Sequence, residues 1–330
     1  MGFARASESP DAARFDAWLA DGCAADLDYM KKTPERRVDP RRVVAGCRTV
    51  IVGSVGHWFE DGATTAELPT RFARYARGRD YHKIQDGMLK RLCRVLDEET
   101  ASETGARHTH RFYVDYGPVL ERSWARDAGV GFVGKNTMLI DPKRGSWTTL
   151  GTVLTTLELP PDDPITVGCG TCTRCIDVCP TDAITEPGRV DARLCISYWT
   201  IEHRESIPEA MRIAIGTRVF GCDDCQDVCP WNRFAQPSTI DDHRPRELFV
   251  DADLARLAGL SWDAWDAATR GSAVRRVGYE GLLRNVAIAL GNSRDERARP
   301  HLEQLTRHAS PLVREHAEWG LARLSDDERA

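Results

Sequence analysis

Four cysteines stand within eleven positions of this chain, Cys169, Cys172, Cys175 and Cys179, and Pro180 follows the last of them. A second run, Cys222, Cys225 and Cys229, again ends in proline, and Cys195 lies alone between the two. The first run has the spacing C-x2-C-x2-C-x3-C-P, with which bacterial ferredoxins hold [4Fe–4S] clusters, the fourth cysteine serving the other cluster. Short intervals let three thiolates wrap one cube. The fourth lies on the next turn and points away, and the proline redirects the chain. Crossing one ligand between the runs assigns Cys169, Cys172, Cys175 and Cys229 to a first cluster. Cys222, Cys225, the crossing Cys179 and the displaced Cys195 form the second. All eight thiolates are then used. Zinc is the competing reading, because paired C-x-x-C elements also build zinc ribbons. The repeated C-P ending and the complete set of ligands favour iron–sulfur. Two adjacent clusters pass single electrons, so the chain moves electrons to something.

The remainder must position that wiring. At 330 residues the chain can build about two domains with proper cores. Hydrophobic content of 42% and charged content of 29% are those of an ordinary soluble protein. A net charge of -5 argues against a surface that coats nucleic acid wholesale and leaves room for a local basic patch. The start, MGFARASESPDAARF, has no apolar core of signal-peptide length, and no run of about eighteen apolar residues occurs. A cytoplasmic protein with no membrane segment is expected. Disulfides are not expected there, and Cys23, Cys47 and Cys93, outside the cluster, read as buried core thiols.

Helix and strand signals alternate before the cysteines. DAARFDAWLADG, YHKIQDGMLKRLCRVLDEE and PVLERSWARDAG read as helices, and RTVIVGSVG, HRFYVDYG, NTMLI and WTTLGTVLTTLEL as strands. An α/β domain over residues 1–165 follows. Residues 166–240 form a ferredoxin-type segment, with a helix in SIPEAMRIAIG between its halves. The tail, 241–330, is helical. LLRNVAIALGN and LVREHAEWGLARL align at an offset of thirty, Arg284 with Arg314 and Ala287 with Ala317, which points to stacked HEAT-like pairs or to a simple helical cap. Ten arginines against six acids between Arg270 and Arg323, and six positive residues against two negative in KKTPERRVDPRR, read as solvated faces or as a phosphate-binding surface. No G-x-G-x-x-G opens a helix after a strand, and GVGFVGKNT is not a Walker loop. The residues alone do not name a second cofactor.

The cysteine segment, together with CISYWTIE, FGCDDCQDVCPWNRF, VDYGPVLER, GFVGKNTMLI and GSAVRRVGYEGLLRNVAIALGN, resembles the epoxyqueuosine reductase family over nearly the whole chain. The resemblance implies reduction of the epoxide of epoxyqueuosine at the wobble position of tRNA, with cobalamin and two [4Fe–4S] clusters as cofactors. It also implies a helical tail that grips the anticodon stem-loop. By resemblance Asp115 is the proton donor; a helix cap near Pro118 is the other role this position suits. As an acid it would need burial to raise its pKa. Arg37, Lys135, Ser197, Asp223 and Asp224 fall at positions like the family's cobalamin contacts. Tyr116 departs from the small or hydroxylic residue usual after that aspartate. A monomer fed by an unidentified electron donor is expected. The rival readings are a corrinoid reductive dehalogenase and a plain iron–sulfur electron carrier.

Overall fold

Val50, Ile51 and Val52 are successive residues of one strand, and all three are buried, so both faces of that strand must be covered. This strand, Thr49–Gly56, is central in a four-stranded sheet. Gly2–Arg5 pairs with one edge and Thr148–Thr155 with the other, and His110–Tyr113 completes the sheet beyond Thr148–Thr155. The helix Glu121–Asp127 covers one face and drives Trp124 among Ala4, Val50, Val52 and Leu154. The long helix Tyr81–Thr104 covers the other, packing Leu89 on Ile51 and Val153. The structure, a computed structural model, describes residues 1–325. Helices and strands mix as their alternation implies, but every pairing in this sheet is antiparallel. The first two strands are neighbours in sequence and in the sheet, but the second partner of Thr49–Gly56, Thr148–Thr155, arrives only after both covering helices.

The cysteine segment contributes two single-turn helices, Arg174–Asp177 and Asp224–Asp227, one inside each run. The helix Glu209–Ile215 stands between them. In the tail, helices Tyr279–Ser293 and Pro311–Ser325 pack on one another, with Arg299–Leu305 against both. Ala287 and Ala317, aligned at the offset of thirty, are both fully buried. A side chain on Gly291 would run into the Cα of Gly320 at 2.6 Å, so small residues set how closely these helices approach. No helix among the described residues is long and apolar enough to cross a membrane.

One core joins the tail to the rest. Phe72, Phe220 and Phe249 pack with Leu254, Leu257 and Leu282, and Arg71–Phe72 pairs in parallel with Arg218–Phe220. Arg284 makes a polar counterpart to this apolar joint. It is fully buried, and its guanidinium donates to the carbonyls of Trp199 (3.0 Å), His203 (2.9 Å) and Glu205 (2.8 Å). Asn285 beside it donates to the carbonyls of Thr200 and Val219, each at 2.9 Å.

Arg284 is therefore no part of a basic surface. Arg270 and Arg275 pair with Asp266, Arg276 with Glu202, Arg297 with Asp295 and Arg299 with Glu296. The positive balance counted along the tail is largely neutralised, because Asp266 and Glu202 lie outside the window in which it was counted. Replacing Arg284 with methionine leaves three buried carbonyls without donors and should destabilise the protein by about 3 kcal/mol or more. The fall in midpoint in denaturant titrations of wild type and Arg284→Met checks this value.

Candidate active site

A cavity of about 1000 Å³ opens where the sheet domain meets the cysteine segment. All four thiols of one predicted group, Cys179, Cys195, Cys222 and Cys225, line it, as does Cys169 of the other. The grouping is visible in how the sulfurs act on one another. The Cys175 thiol is pushed up by burial and by Cys169, Cys229 and Cys172. Burial pushes Cys222 up to about 12, with Cys195 adding to it. Cys225 is raised by burial, then by Cys222 and Cys195, and also by Cys175 of the first group. Thiols so placed give up their protons readily only to a metal centre. Among the described residues no three His, Cys, Asp or Glu side chains converge as around a single ion.

Backbone and amide groups tie the two parts together at this point. In the turn Gly134–Thr137 the amide of Lys135 donates to Cys169 Sγ at 3.5 Å, and Asn136 Nδ2 donates to the Cys225 carbonyl at 3.1 Å. Asn136 is buried, and sequence reading passed over it. On the other side the amide of Ala183 donates to Cys179 Sγ at 3.3 Å.

Opposite in origin, the loop after His110–Tyr113 brings in Asp115. Its backbone is left-handed, φ 63°, a conformation that aspartate tolerates better than most side chains. Two contacts hold the loop there. A Cβ on Gly117 would overlap the Tyr113 ring, and the Gly117 carbonyl accepts from Arg37 at 3.1 Å. The other terminal nitrogen of Arg37 donates to the Tyr29 carbonyl at 2.6 Å. Tyr116 turns out of the cavity: its hydroxyl donates to Asp86 at 2.9 Å on the long helix.

Asp115 leaves 70% of its side chain open to the cavity, yet it is not held as a neutral acid. Tyr81 donates its hydroxyl to Oδ2 at 2.9 Å, and His82 Nε2 stands 3.7 Å from the same oxygen. Crowding by the cavity wall pushes the carboxyl up, but His82 and Tyr81 outweigh this and hold it below its ordinary range. Burial alone therefore does not meet the condition under which Asp115 would hold a proton at rest. The proton resides instead on His82. Burial lowers that imidazole, but Asp115 and Asp80 (2.7 Å from Nδ1) lift it to about 9. Asp80 also caps the helix that carries His82. A second proton sits on Glu121, which burial and then Asp115 raise to about 8. None of Tyr81, His82 and Glu121 was marked by sequence reading. Asp80 before a helix start is a cap signal, but nothing linear links it to Asp115.

Of the other positions named by resemblance, Arg37, Lys135, Ser197 and Asp224 line the cavity. Asp223 does not. Its carboxylate accepts from the Arg74 amide at 2.8 Å, on the side away from the cavity lining, and burial raises it to about 6. Asp224 is ion-paired with Arg218. The cavity presents two buried polar atoms without partners, Arg37 Nε and Glu121 Oε1, above an apolar wall that includes Met30, Val119 and Ile196. A donor, an acceptor and apolar surface in a hollow of this size fit a large macrocycle fringed with amides. At the mouth, the Arg276 guanidinium of the tail lies 5.8 Å from the Tyr29 ring.

Comparison with known proteins agrees with this geometry. A family model described as "Epoxyqueuosine reductase QueG, DUF1730" matches residues 37–115, and a "4Fe-4S double cluster binding domain" matches residues 168–232. The epoxyqueuosine reductase of Xanthomonas campestris pv. campestris is 46% identical over 325 residues, covering 94% of this chain and 88% of the relative. A crystal structure of epoxyqueuosine reductase with a tRNA-Tyr epoxyqueuosine-modified stem loop superposes with a TM-score of 0.89 at 27% identity, covering 99% of this chain and 86% of that one. The Bacillus subtilis epoxyqueuosine reductase, solved with its aspartate-bearing catalytic loop swung out of the active site, gives 0.87 at 26% identity, covering 98% and 86%. Cysteine runs, cavity and sheet thus have their counterpart in one set of proteins, and the chain belongs to the epoxyqueuosine reductase family.

Proposed function

We propose that this chain reduces epoxyqueuosine to queuosine in tRNA, using two [4Fe–4S] clusters and a cobalamin. The observation that carries the reading is the shared cavity, where the four thiols of one cysteine group and Asp115 line the same space. Removing the epoxide oxygen as water takes two electrons and two protons and leaves a carbon–carbon double bond. Cobalamin, when bound, would supply the nucleophilic two-electron chemistry at the epoxide carbon. Arg37, Lys135, Ser197 and Asp224, which line the cavity, would hold it. Cys169, Cys172, Cys175 and Cys229 would hold the first cluster, and Cys179, Cys195, Cys222 and Cys225 the second.

The chain's own side chains supply the protons. Both contacts to Asp115 fall on Oδ2, and Oδ1 makes no hydrogen bond among the described residues. Asp115, ionised at rest, would take a proton from His82 before giving it to the departing oxygen, which leaves His82 neutral. His82 behind Asp115 holds its proton up to about pH 9 and Glu121 in the cavity wall up to about pH 8, which matches the two protons the reaction consumes. The neutral ring of Tyr29, pushed up to about 12 by burial and then by Glu202 and Asp115, shares the mouth with Arg276. The related enzyme solved with a modified tRNA stem loop supports tRNA as the partner, and the stacked tail helices, read as HEAT-like pairs, would take the anticodon stem-loop from that side. An enzyme of this kind needs no membrane and acts on tRNA in the cytoplasm.

Three measurements test the reading. Asp115→Asn should keep iron and corrin absorbance while turnover on epoxide-bearing tRNA falls ~10²–10⁴-fold; full turnover removes Asp115 from the chemistry. Cys195→Ala should return about half the wild-type iron after anaerobic reconstitution, whereas an unchanged count excludes it as a ligand. His82 is raised from 6.5 to about 9 on folding, so its stabilising contribution is complete below pH 6.5 and is lost as pH rises through about 9. The thermal stability advantage of wild type over His82→Gln should shrink across that window, and an advantage that stays constant with pH contradicts the ion pair.

A further inference from the structure

A second hollow, of about 610 Å³, shares no lining residue with the first. Its wall includes Cys229, the ligand that the second run lends to the first cluster, with Val228 and Pro230 on either side. We propose that this hollow is where an acidic one-electron carrier protein docks and passes electrons to the first cluster. The proposal rests on the reading that Cys169, Cys172, Cys175 and Cys229 hold that cluster.

Charge is the first argument. Arg74, Arg174 and Arg233 line the hollow against a single acid, Asp227. Arg74 is committed to Asp61 at 2.6 Å and lies 3.8 Å from Asp227. The side chains of Arg174 and Arg233 are different: among the described residues neither makes a hydrogen bond or an ion pair, and both residues are exposed. Arg233 only rests over the Phe234 ring, 4.5 Å from its centroid. The neighbouring turn adds exposed Lys143 and Arg144, and it is fixed to the hollow by the Ser146 amide donating to Asn232 Oδ1 at 2.6 Å. Several arginines of the tail are spent on local acids, whereas Arg174 and Arg233 keep their charge free for a partner in a chain of net charge -5. An acidic partner is repelled by the molecule as a whole and drawn to this face, which steers encounter.

The chemistry of the wall is the second argument. Trp58, Trp147, Val228 and Pro230 line the hollow, and Phe234, 37% exposed, lies under the Arg233 guanidinium beside it, so apolar contact is available among the charges. Small interfaces of this composition suit redox partners that must part after each electron. RNA phosphates would also be attracted to these arginines. A protein carrier is favoured because the second cluster's thiols already open onto the cavity that takes cofactor and substrate, whereas Cys229 faces this separate surface. Each encounter oxidises the carrier by one electron and reduces the first cluster by one. Two encounters supply the pair of electrons consumed per epoxide.

The test uses anaerobic holoenzyme with reduced flavodoxin as the probe, an acidic one-electron carrier. Stopped-flow bleaching of the cluster absorbance is followed at low and high salt, beside bleaching by dithionite and binding of a tRNA stem loop. Arg233→Glu should slow reduction by flavodoxin at least tenfold at low salt and flatten its salt dependence. Dithionite reduction and stem-loop affinity should stay at wild-type values. Arg174→Gln should show the same pattern in a smaller degree; since Arg174 lies between two ligands, iron is counted in each variant, and Arg233, outside the ligand spacing, decides the matter if that count drops. Unchanged flavodoxin rates with full iron overturn the docking site alone. So does a wild-type rate indifferent to salt, or a loss of stem-loop affinity with flavodoxin reduction intact, which would give the surface to RNA. Wild-type protein that binds far fewer than eight irons takes down the cluster reading and this proposal with it.

Discussion

Five thiols of the cysteine segment, Cys175, Cys195, Cys222, Cys225 and Cys229, are pushed up by burial and by neighbouring sulfurs, and that arrangement is tolerable only if positive charge is supplied to it. The folding of the cysteine segment follows from this need. Two single-turn helices carry Cys175 and Cys225, and the sulfurs act on one another between the runs: Cys229 on Cys175, and Cys179 on Cys195. Donors from outside the segment help. The amides of Lys135 and Ala183 point at Cys169 and Cys179, and Asn136 fastens the second run by its backbone. Because Lys135 and Asn136 belong to the sheet domain, filling the sulfur sites and closing the large cavity are one structural event.

The cavity then separates two kinds of acid by environment alone. Asp115, with a cationic imidazole and a phenol on one oxygen, is kept ionised, whereas Glu121, without a hydrogen-bonding partner for Oε1, is kept neutral. Their mutual repulsion strengthens the difference, since Asp115 is the largest neighbouring charge acting on Glu121. The left-handed backbone at Asp115 is held by Arg37 and by the Tyr113 ring, both fixed before any ligand arrives. A strained loop with such support is preorganised for its task.

Much of this was legible in the sequence, and the limits have physical causes. The double-cluster segment could be read because ligand spacing is a local property of the chain. The strands and covering helices could be read from their apolar periodicity, although the pairing of Thr49–Gly56 with Thr148–Thr155 depends on contacts that periodicity does not encode. His82 was missed because its partner lies on a loop after the helix, and the sequence does not tell Asp223 from Asp224: Asp224 lines the cavity while Asp223 accepts from the Arg74 amide. Charge counting failed in the tail for a related reason. It treats Arg284 as surface charge, when burial and three carbonyls make it a structural bolt.

That bolt bears on how the parts can work together. Arg284 and Asn285 clasp the backbone from Trp199 to Glu205, and this same stretch carries Glu202, which holds Arg276 at the cavity mouth, and begins just after Ser197 and Tyr198 in the cavity wall. The tail is thereby fixed to the wall of the site through buried hydrogen bonds and a shared apolar core, with no mobile linker between them. A substrate held by the tail would consequently be held in register with Asp115 and the thiol-lined wall. Rigid attachment of this sort converts binding far from the reacting atoms into orientation at them.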